Sequence, residues 1–199
     1  SNPRQPIFSV KLDKHDSHGF YTFGYINENI HASKLYWQGI ITDNGWWEGG
    51  CIGRTPSSSP EIDSVVASQY VRIGSKIYDR GHSNTAIIDT GTTLILIEDK
   101  TIERLYSQIP GAKLDHTLGG YVFPTDAPVP ELAFSVGKWL FTIPSEDLAF
   151  SDAGNGMSYG AIQSRGQNQQ DILGDVFLKH VYVVFDQGVN PRVGVAQRN

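Results

Sequence analysis

Apolar residues recur along this chain in short runs, broken every few positions by Gly, Pro, Asn or Ser. The runs at 20–26, 35–41, 69–73, 86–88, 94–97, 121–123, 133–136, 140–143, 181–185 and 193–196 are rich in β-branched and aromatic residues. Runs of this length with turn formers at both ends predict strands. One segment follows another period. Between 99 and 109 the apolar residues are Ile102, Leu105, Tyr106 and Ile109, the i, i+3, i+4, i+7 stripe of an amphipathic helix. Asp99 is placed to cap it, Glu103 lies in its first turn, and Pro110-Gly111 ends it. Shorter helical turns are expected at 175–179, after Gly174, and from Ser145, which can cap Glu146-Asp147-Leu148. Many short strands and few helices predict an all-β sandwich or barrel. The stretch 53–64, with three consecutive serines between prolines, reads as a loop insertion. No repeat or linker divides the chain, so 1–199 is expected to be one unit.

Composition narrows the function classes. The 199 residues are 39% hydrophobic, enough to bury a core. Nine Phe, nine Tyr and four Trp exclude a disordered chain. Sixteen Lys and Arg against 21 Asp and Glu give a net charge of −5, which argues against nucleic acid as a partner. No apolar run approaches the roughly 18 residues of a membrane helix, so no membrane partner is expected. The single cysteine, Cys51, excludes an internal disulfide and a cysteine-built metal cluster. Flanked by Gly49, Gly50 and Gly53, it reads as a loop thiol rather than a nucleophile. The segment 1–9 is polar, holds two prolines and does not read as a leader; an exported protein would be seen here in mature or trimmed form.

The strongest chemical signal is Ala86-Ile87-Ile88-Asp89-Thr90-Gly91-Thr92-Thr93. Strand-like residues deliver Asp89 to a tight turn. Gly91 leaves the carboxylate open, and the Thr hydroxyls and backbone can hold it. Alone, such a tripeptide is usually a turn whose Asp bonds its own backbone. About eighty residues on comes Ile172-Leu173-Gly174-Asp175-Val176-Phe177-Leu178, an apolar pair and a glycine before a helical turn. The missing Cβ lets such a segment pack closely beneath the Asp89 turn.

Together with the ending Val183-Val184-Phe185-Asp186 and Val193-Gly194-Val195-Ala196, these motifs resemble the C-terminal half of a pepsin-like aspartic protease, closest to the secreted fungal penicillopepsin type. The likeness extends over nearly the whole chain. It includes Pro6 to Leu12, Tyr21 to Asn27 (with Asn27 where Asp is usual), Gly45-Trp46-Trp47, Gly119 to Phe123 and Gly154-Asn155-Gly156.

The resemblance implies the following. The fold is a single all-β lobe of a bilobal enzyme, with a few short helices. The activity is acid endopeptidase, with Asp89 as one of two carboxyls that share a proton and activate a water. Thr92 anchors the loop and lies near the substrate backbone, Gly91 lines the cleft and presents a carbonyl to substrate, Thr93 reaches the substrate main chain, and Thr90 belongs to the same active-site and substrate-binding loop. Trp46, Ile87 and Ile172 are candidates for subsite walls, with core packing the expectation for Ile87 and Ile172. No metal or other cofactor is implied. The substrate is polypeptide, and the location is secreted or vacuolar. This chain has one Asp-Thr-Gly, so the second carboxyl must come from an N-terminal lobe, as a separate or cleaved chain, ahead of a second copy of this chain. A non-catalytic binding or inhibitor protein on the same fold is the alternative. Fungal relatives often place cysteines where this chain is expected to have Thr125 and Tyr159.

Weaker patterns read blandly. Gly156-Met157-Ser158-Tyr159-Gly160 matches a nucleophile elbow but lacks its strand-turn-helix context. His15-Asp16-Ser17-His18 reads as a polar hairpin tip rather than a metal site, and His31, His82, His116 and His180 as solvated surface.

Overall fold

The computed structural model describes residues 5–14, 18–27, 29–30, 34–40 and 63–198, with Asp63 and Ser64 described in backbone only. Trp46, Trp47, Cys51 and most of 53–64 therefore lie outside the described residues, as do His15, Asp16, Ser17 and His31.

The strands are β1 (Ile7–Lys11), β2 (Phe20–Phe23), β3 (Tyr36–Gly39), β4 (Asp63–Ala67), β5 (Tyr70–Ile73), β6 (Lys76–Asp79), β7 (Thr85–Asp89) and β8 (Ile95–Ile97). After helix α1 (Asp99–Tyr106) come β9 (Lys113–Asp115), β10 (Gly120–Pro124), β11 (Leu132–Val136), β12 (Trp139–Ile143), β13 (Ala149–Gly154), β14 (Met157–Gly160), β15 (Ile162–Ser164) and β16 (Asp171–Leu173). Helix α2 (Asp175–Leu178), β17 (Val181–Asp186) and β18 (Arg192–Gln197) complete the described fold. They form four sheets, ordered β2-β1-β17-β18-β3, β13-β14-β10-β9, β12-β11-β5-β6 and β15-β8-β16-β7-β4. The all-β expectation holds, with short helices as the only interruption among the described residues.

Burial explains the sequence texture. Strand β17 is continuously apolar because both its faces are covered. Val181, Val183 and Phe185 enter the main core, while Tyr182 and Val184 enter a smaller cluster with Ile7, Ile26 and Trp37. The Tyr182 hydroxyl, inside that cluster, donates to Ser9 Oγ at 2.7 Å and accepts the Asn27 N–H at 3.1 Å. Helix α1 buries the stripe its period predicts: Ile102, Leu105 and Tyr106, with Ile109 in the turn beyond. Tyr106 also donates its hydroxyl to the Ile162 carbonyl at 2.7 Å.

Several boundaries differ from expectation. Helix α1 is shorter than 99–109, because its last turn relaxes into bonds from Gln108 to Leu105 and from Ile109 to Tyr106. Its cap position is Glu98, not Asp99, and Thr101 donates its hydroxyl to the Glu98 carboxylate. The turn at 145–148 is a 3-10 helix capped by Pro144 without a side-chain bond. Asp63 and Ser64, read as loop, belong to β4. Strands β6, β9 and β16 are too short or too polar to stand out in the pattern. Thr125 meets Ser158 at 2.8 Å, hydroxyl to hydroxyl. Tyr159 instead pairs with Val122, so a polar bond from Ser158, not Tyr159, ties Thr125 to β14. His180 is buried rather than surface, with Nε2 3.0 Å from Asp147 Oδ2.

The site-bearing sheet is held by two devices. The first is a buried charge network at the start of β16. Asp171 is fully buried and Arg80 is 1% exposed. Arg80 Nη1 donates to Asp171 at 2.5 Å and to Glu98 at 3.0 Å, and its Nη2 bonds the Ser68 carbonyl and hydroxyl. Arg165 donates to the other Asp171 oxygen at 2.7 Å, and Asn84 adds a bond at 2.9 Å. Burial pushes the Asp171 carboxyl above the ordinary carboxylate range, against the pull of Arg80, Asn84 and Arg165. The second device is Gly174. A Cβ there would lie 2.5 Å from the Leu94 carbonyl oxygen and closer still to that of Thr92. The constraint is contact with backbone, since the φ of Gly174 is an ordinary −85°.

Arg80→Ala takes from the buried Asp171 one of its two guanidinium partners and is expected to lower stability by about 3 kcal/mol in urea unfolding. Gly174→Ala must shift backbone and is expected to cost about 1–3 kcal/mol or more. Gly39→Ala, where a Cβ meets nothing within 4 Å, should stay within about 0.5 kcal/mol. Burial holds the His180 pKa below the usual imidazole value, with Lys14 and Arg198 acting the same way and Asp147 and Glu146 opposing. The folded state then binds fewer protons than the unfolded chain, so stability is lost as pH falls below the ordinary histidine range. Thermal unfolding of His180→Gln between pH 7 and pH 4 should fall less steeply than that of the parent.

Candidate active site

Asp89 ends β7, and the alternation of that strand decides where it points. Ala86 and Ile88 are buried in the main core, whereas Thr85, Ile87 and Asp89 are half-buried on the opposite face. The turn then closes on its own acid. The Gly91 N–H donates to Asp89 Oδ1 at 2.6 Å, and the Thr92 hydroxyl donates to Asp89 Oδ2 at 2.5 Å. Each carboxylate oxygen thus has one donor within three residues, which fixes the plane of the group. Gly91 is exposed, so nothing of its own covers the carboxylate.

A second segment supports this turn from below. Strand β16 lies between β7 and β8, parallel to the first and antiparallel to the second. Where it leaves the sheet, Gly174 packs on the Thr92 and Leu94 carbonyls. The Asp175 N–H donates to Thr92 O at 2.8 Å, and the Val176 N–H to Thr93 O at 3.0 Å. The turn carrying Asp89 is therefore gripped through its backbone carbonyls, leaving its side chains free to face outward.

The structure brings Asp89, Thr90, Gly91, Thr92 and Thr93 into one turn and sets Ile172 beside it. Ile172 pairs with Ile87 on β7 and with Leu96 on β8. Core packing was the expectation for Ile87 and Ile172, and neither is in the core; both are half-buried outside it. They lie side by side, Ile87 on the strand face that carries Asp89. Trp46, the remaining candidate, lies outside the described residues. Ser158 is buried within β14 and bonded to Thr125, so the nucleophile-elbow match has no geometry behind it. Among the described residues no three metal-ligating side chains gather at one place, and no helix is long and apolar enough to cross a membrane.

Sequence reasoning passed over Asp175 as an acid and took it only as a helix start. Its Oδ1 is buried and accepts no hydrogen bond. It also missed Arg80, Asp171 and Arg165. The available signal was an Asp opening the Asp-Ile-Leu-Gly run at a position that β pairing would bury.

Similarity to known proteins agrees with this geometry. The family model described as eukaryotic aspartyl protease matches residues 3–198. The chain is 36% identical over 196 residues to Aspergillopepsin-1 of Aspergillus pseudoglaucus, covering 98% of this chain and 45% of that protein. It is 37% identical over 202 residues to Aspartic protease pepA of Arthroderma gypseum, covering 98% and 47%. Against Penicillopepsin-1 of Penicillium janthinellum the values are 34% over 197 residues, 98% and 54%. The chain thus spans about half the length of the curated relatives it matches. With an Asp-Thr-Gly turn at the end of a buried strand and a family match along nearly its whole length, the chain belongs to the eukaryotic aspartyl protease family.

Proposed function

We propose that this chain is the C-terminal lobe of an acid endopeptidase and contributes Asp89 as one of its two reacting carboxyls. The observation that carries the reading is the Asp89 carboxylate, bonded by Gly91 N–H and Thr92 Oγ and open on its outer side. A single carboxyl cannot be both base and acid in one step, and this chain has one Asp-Thr-Gly. The second carboxyl comes from an N-terminal lobe placed opposite. Like charges so close do not both ionise, so the pair holds one proton and titrates as a unit.

The chemistry then needs no cofactor. The ionised carboxyl takes a proton from a water as the water oxygen bonds to the scissile carbonyl carbon. The protonated carboxyl gives its proton to the carbonyl oxygen. The tetrahedral diol collapses, the C–N bond breaks, and the amine leaves with a proton returned by the pair. Thr90, Gly91 and Thr93 lie where the substrate main chain passes, and Ile87 and Ile172 offer apolar contact to its side chains. Such chemistry runs best in acid, which suits secretion or a vacuole.

The test is cleavage of an unfolded protein at about pH 3 to 5 by this chain, alone and joined to a first lobe. Turnover is expected with the first lobe present, and Asp89→Asn should reduce it by about a hundredfold to ten-thousandfold. Turnover by the chain alone, rising with the square of its concentration, would assign the second Asp to another copy. Peptide binding with no cleavage in any combination would overturn the enzymatic reading in favour of a binding protein.

A further inference from the structure

Four separate parts of the chain meet at a cleft that shares no residue with the Asp89 turn. Lys14 and His18 come from the β1–β2 connection, Glu146 from the 3-10 turn, Lys179 and His180 from the end of α2, and Arg198 from beyond β18. The cleft encloses about 660 Å³, and a second of about 230 Å³ shares Lys14, Lys179 and His180 with it. Two of the acids at these walls are already answered by cations. Asp13 has Lys11 at 3.4 Å and Arg198 at 3.5 Å, and Asp147 accepts from Lys14 and His180. Among the described residues Glu146 is the wall acid without such a bond. Lys179 is its cationic counterpart. It senses Asp175 one turn back along α2, yet its ammonium makes no hydrogen bond or ion pair with a described residue.

We propose that this cleft binds a sulfate or phosphate group, free or as an ester, filling in acid and emptying near neutral pH. While the imidazoles are uncharged, Lys14, Lys179 and Arg198 balance Asp13, Glu146 and Asp147, so the walls have no net pull on an anion. Acid adds charge to imidazoles and removes it from carboxylates, and the same walls then carry an excess of positive charge. The ligand class follows from that range. A carboxylate loses its charge over the same interval and cannot exploit the excess. A phosphate monoester keeps a charge below its second pKa of about 6, and a sulfate keeps its own. His180 links protonation to occupancy. Burial opposes its charge, Lys14 and Arg198 oppose it further, and Asp147 and Glu146 favour it. Asp13, His18 and Lys179 face the same space. An anion there offsets the burial and the cationic repulsion, and by reciprocity the protonated imidazole favours the anion. Binding of this kind needs no peptidase activity.

The test is calorimetric titration of the 199-residue chain with sodium sulfate at about pH 4.5 and about pH 7.5, at one ionic strength held with chloride. Sulfate carries the same charge at both, so any difference belongs to the protein. Binding is expected at the lower pH and should be weaker by about tenfold or more at the higher. Lys179→Gln should weaken it by about tenfold, while Lys179→Arg should keep it. Lys138→Gln, which removes a lysine lying over Trp139 and outside the cleft, should change nothing. In proton NMR, sulfate should move the His180 titration to higher pH. A phosphoserine peptide and inorganic phosphate distinguish the sources: tighter binding of the peptide assigns an ester, and equal or weaker binding assigns a free ion. Sulfate that binds no better than chloride overturns the proposal. So does equal binding at the two pH values, a loss in Lys138→Gln matching that in Lys179→Gln, or a His180 titration that sulfate leaves unmoved.

Discussion

Three residues of β16, threaded between β7 and β8, are the constraint on which the site depends. Parallel pairing with β7 and antiparallel pairing with β8 lock the strand on both edges. The chain must then leave the sheet at residue 174, directly under the Asp89 turn. Only a residue without Cβ fits there, because the atoms it would meet are backbone carbonyls that cannot rotate aside. From that contact follow the bonds of Asp175 and Val176 to Thr92 and Thr93. Rigidity at the turn is thus borrowed from a strand about eighty residues away. A turn held this way keeps its carboxylate oriented without filling the space in front of it.

The buried charges serve the same strand from its other end. Asp171 opens β16, and Arg80 and Arg165 converge on it from separate parts of the chain. An ion pair with almost no solvent is costly to form and more costly to break, so it tolerates one arrangement only. Glu98 joins the network from the cap of α1, which ties the helix to the same sheet. Strand β16 is therefore fixed at one end by charge and at the other by steric contact. Only one of the two responds to pH: burial pushes the Asp171 carboxyl above the ordinary carboxylate range, whereas the steric contact at Gly174 does not titrate.

Most of the main strands and the long helix were legible in the sequence because their signals are local. Strand β17 announces itself by five consecutive apolar residues, and α1 by its 3.6-residue stripe. Where the signal is weak the pattern fails for a physical reason. Strand β9 is largely exposed, and β16 has three residues, too few to show a period. Ile87 and Ile172 mislead in the opposite direction. Apolar residues in a short strand imply core, but alternation puts these two on the face that carries Asp89.

The sequence by itself determined the all-β class, the family and the Asp89 turn with its own hydrogen bonds. Those bonds span no more than three residues, so composition and order are enough to specify them. The tertiary structure decided what surrounds that turn. Arg80 and Asp171 are 91 positions apart, and nothing local distinguishes them from surface charges. Asp175 likewise reads as the start of a short helix until the fold sets it beneath Thr92. Partnerships of this kind arise from burial and sheet order, which exist only once the chain has closed on itself.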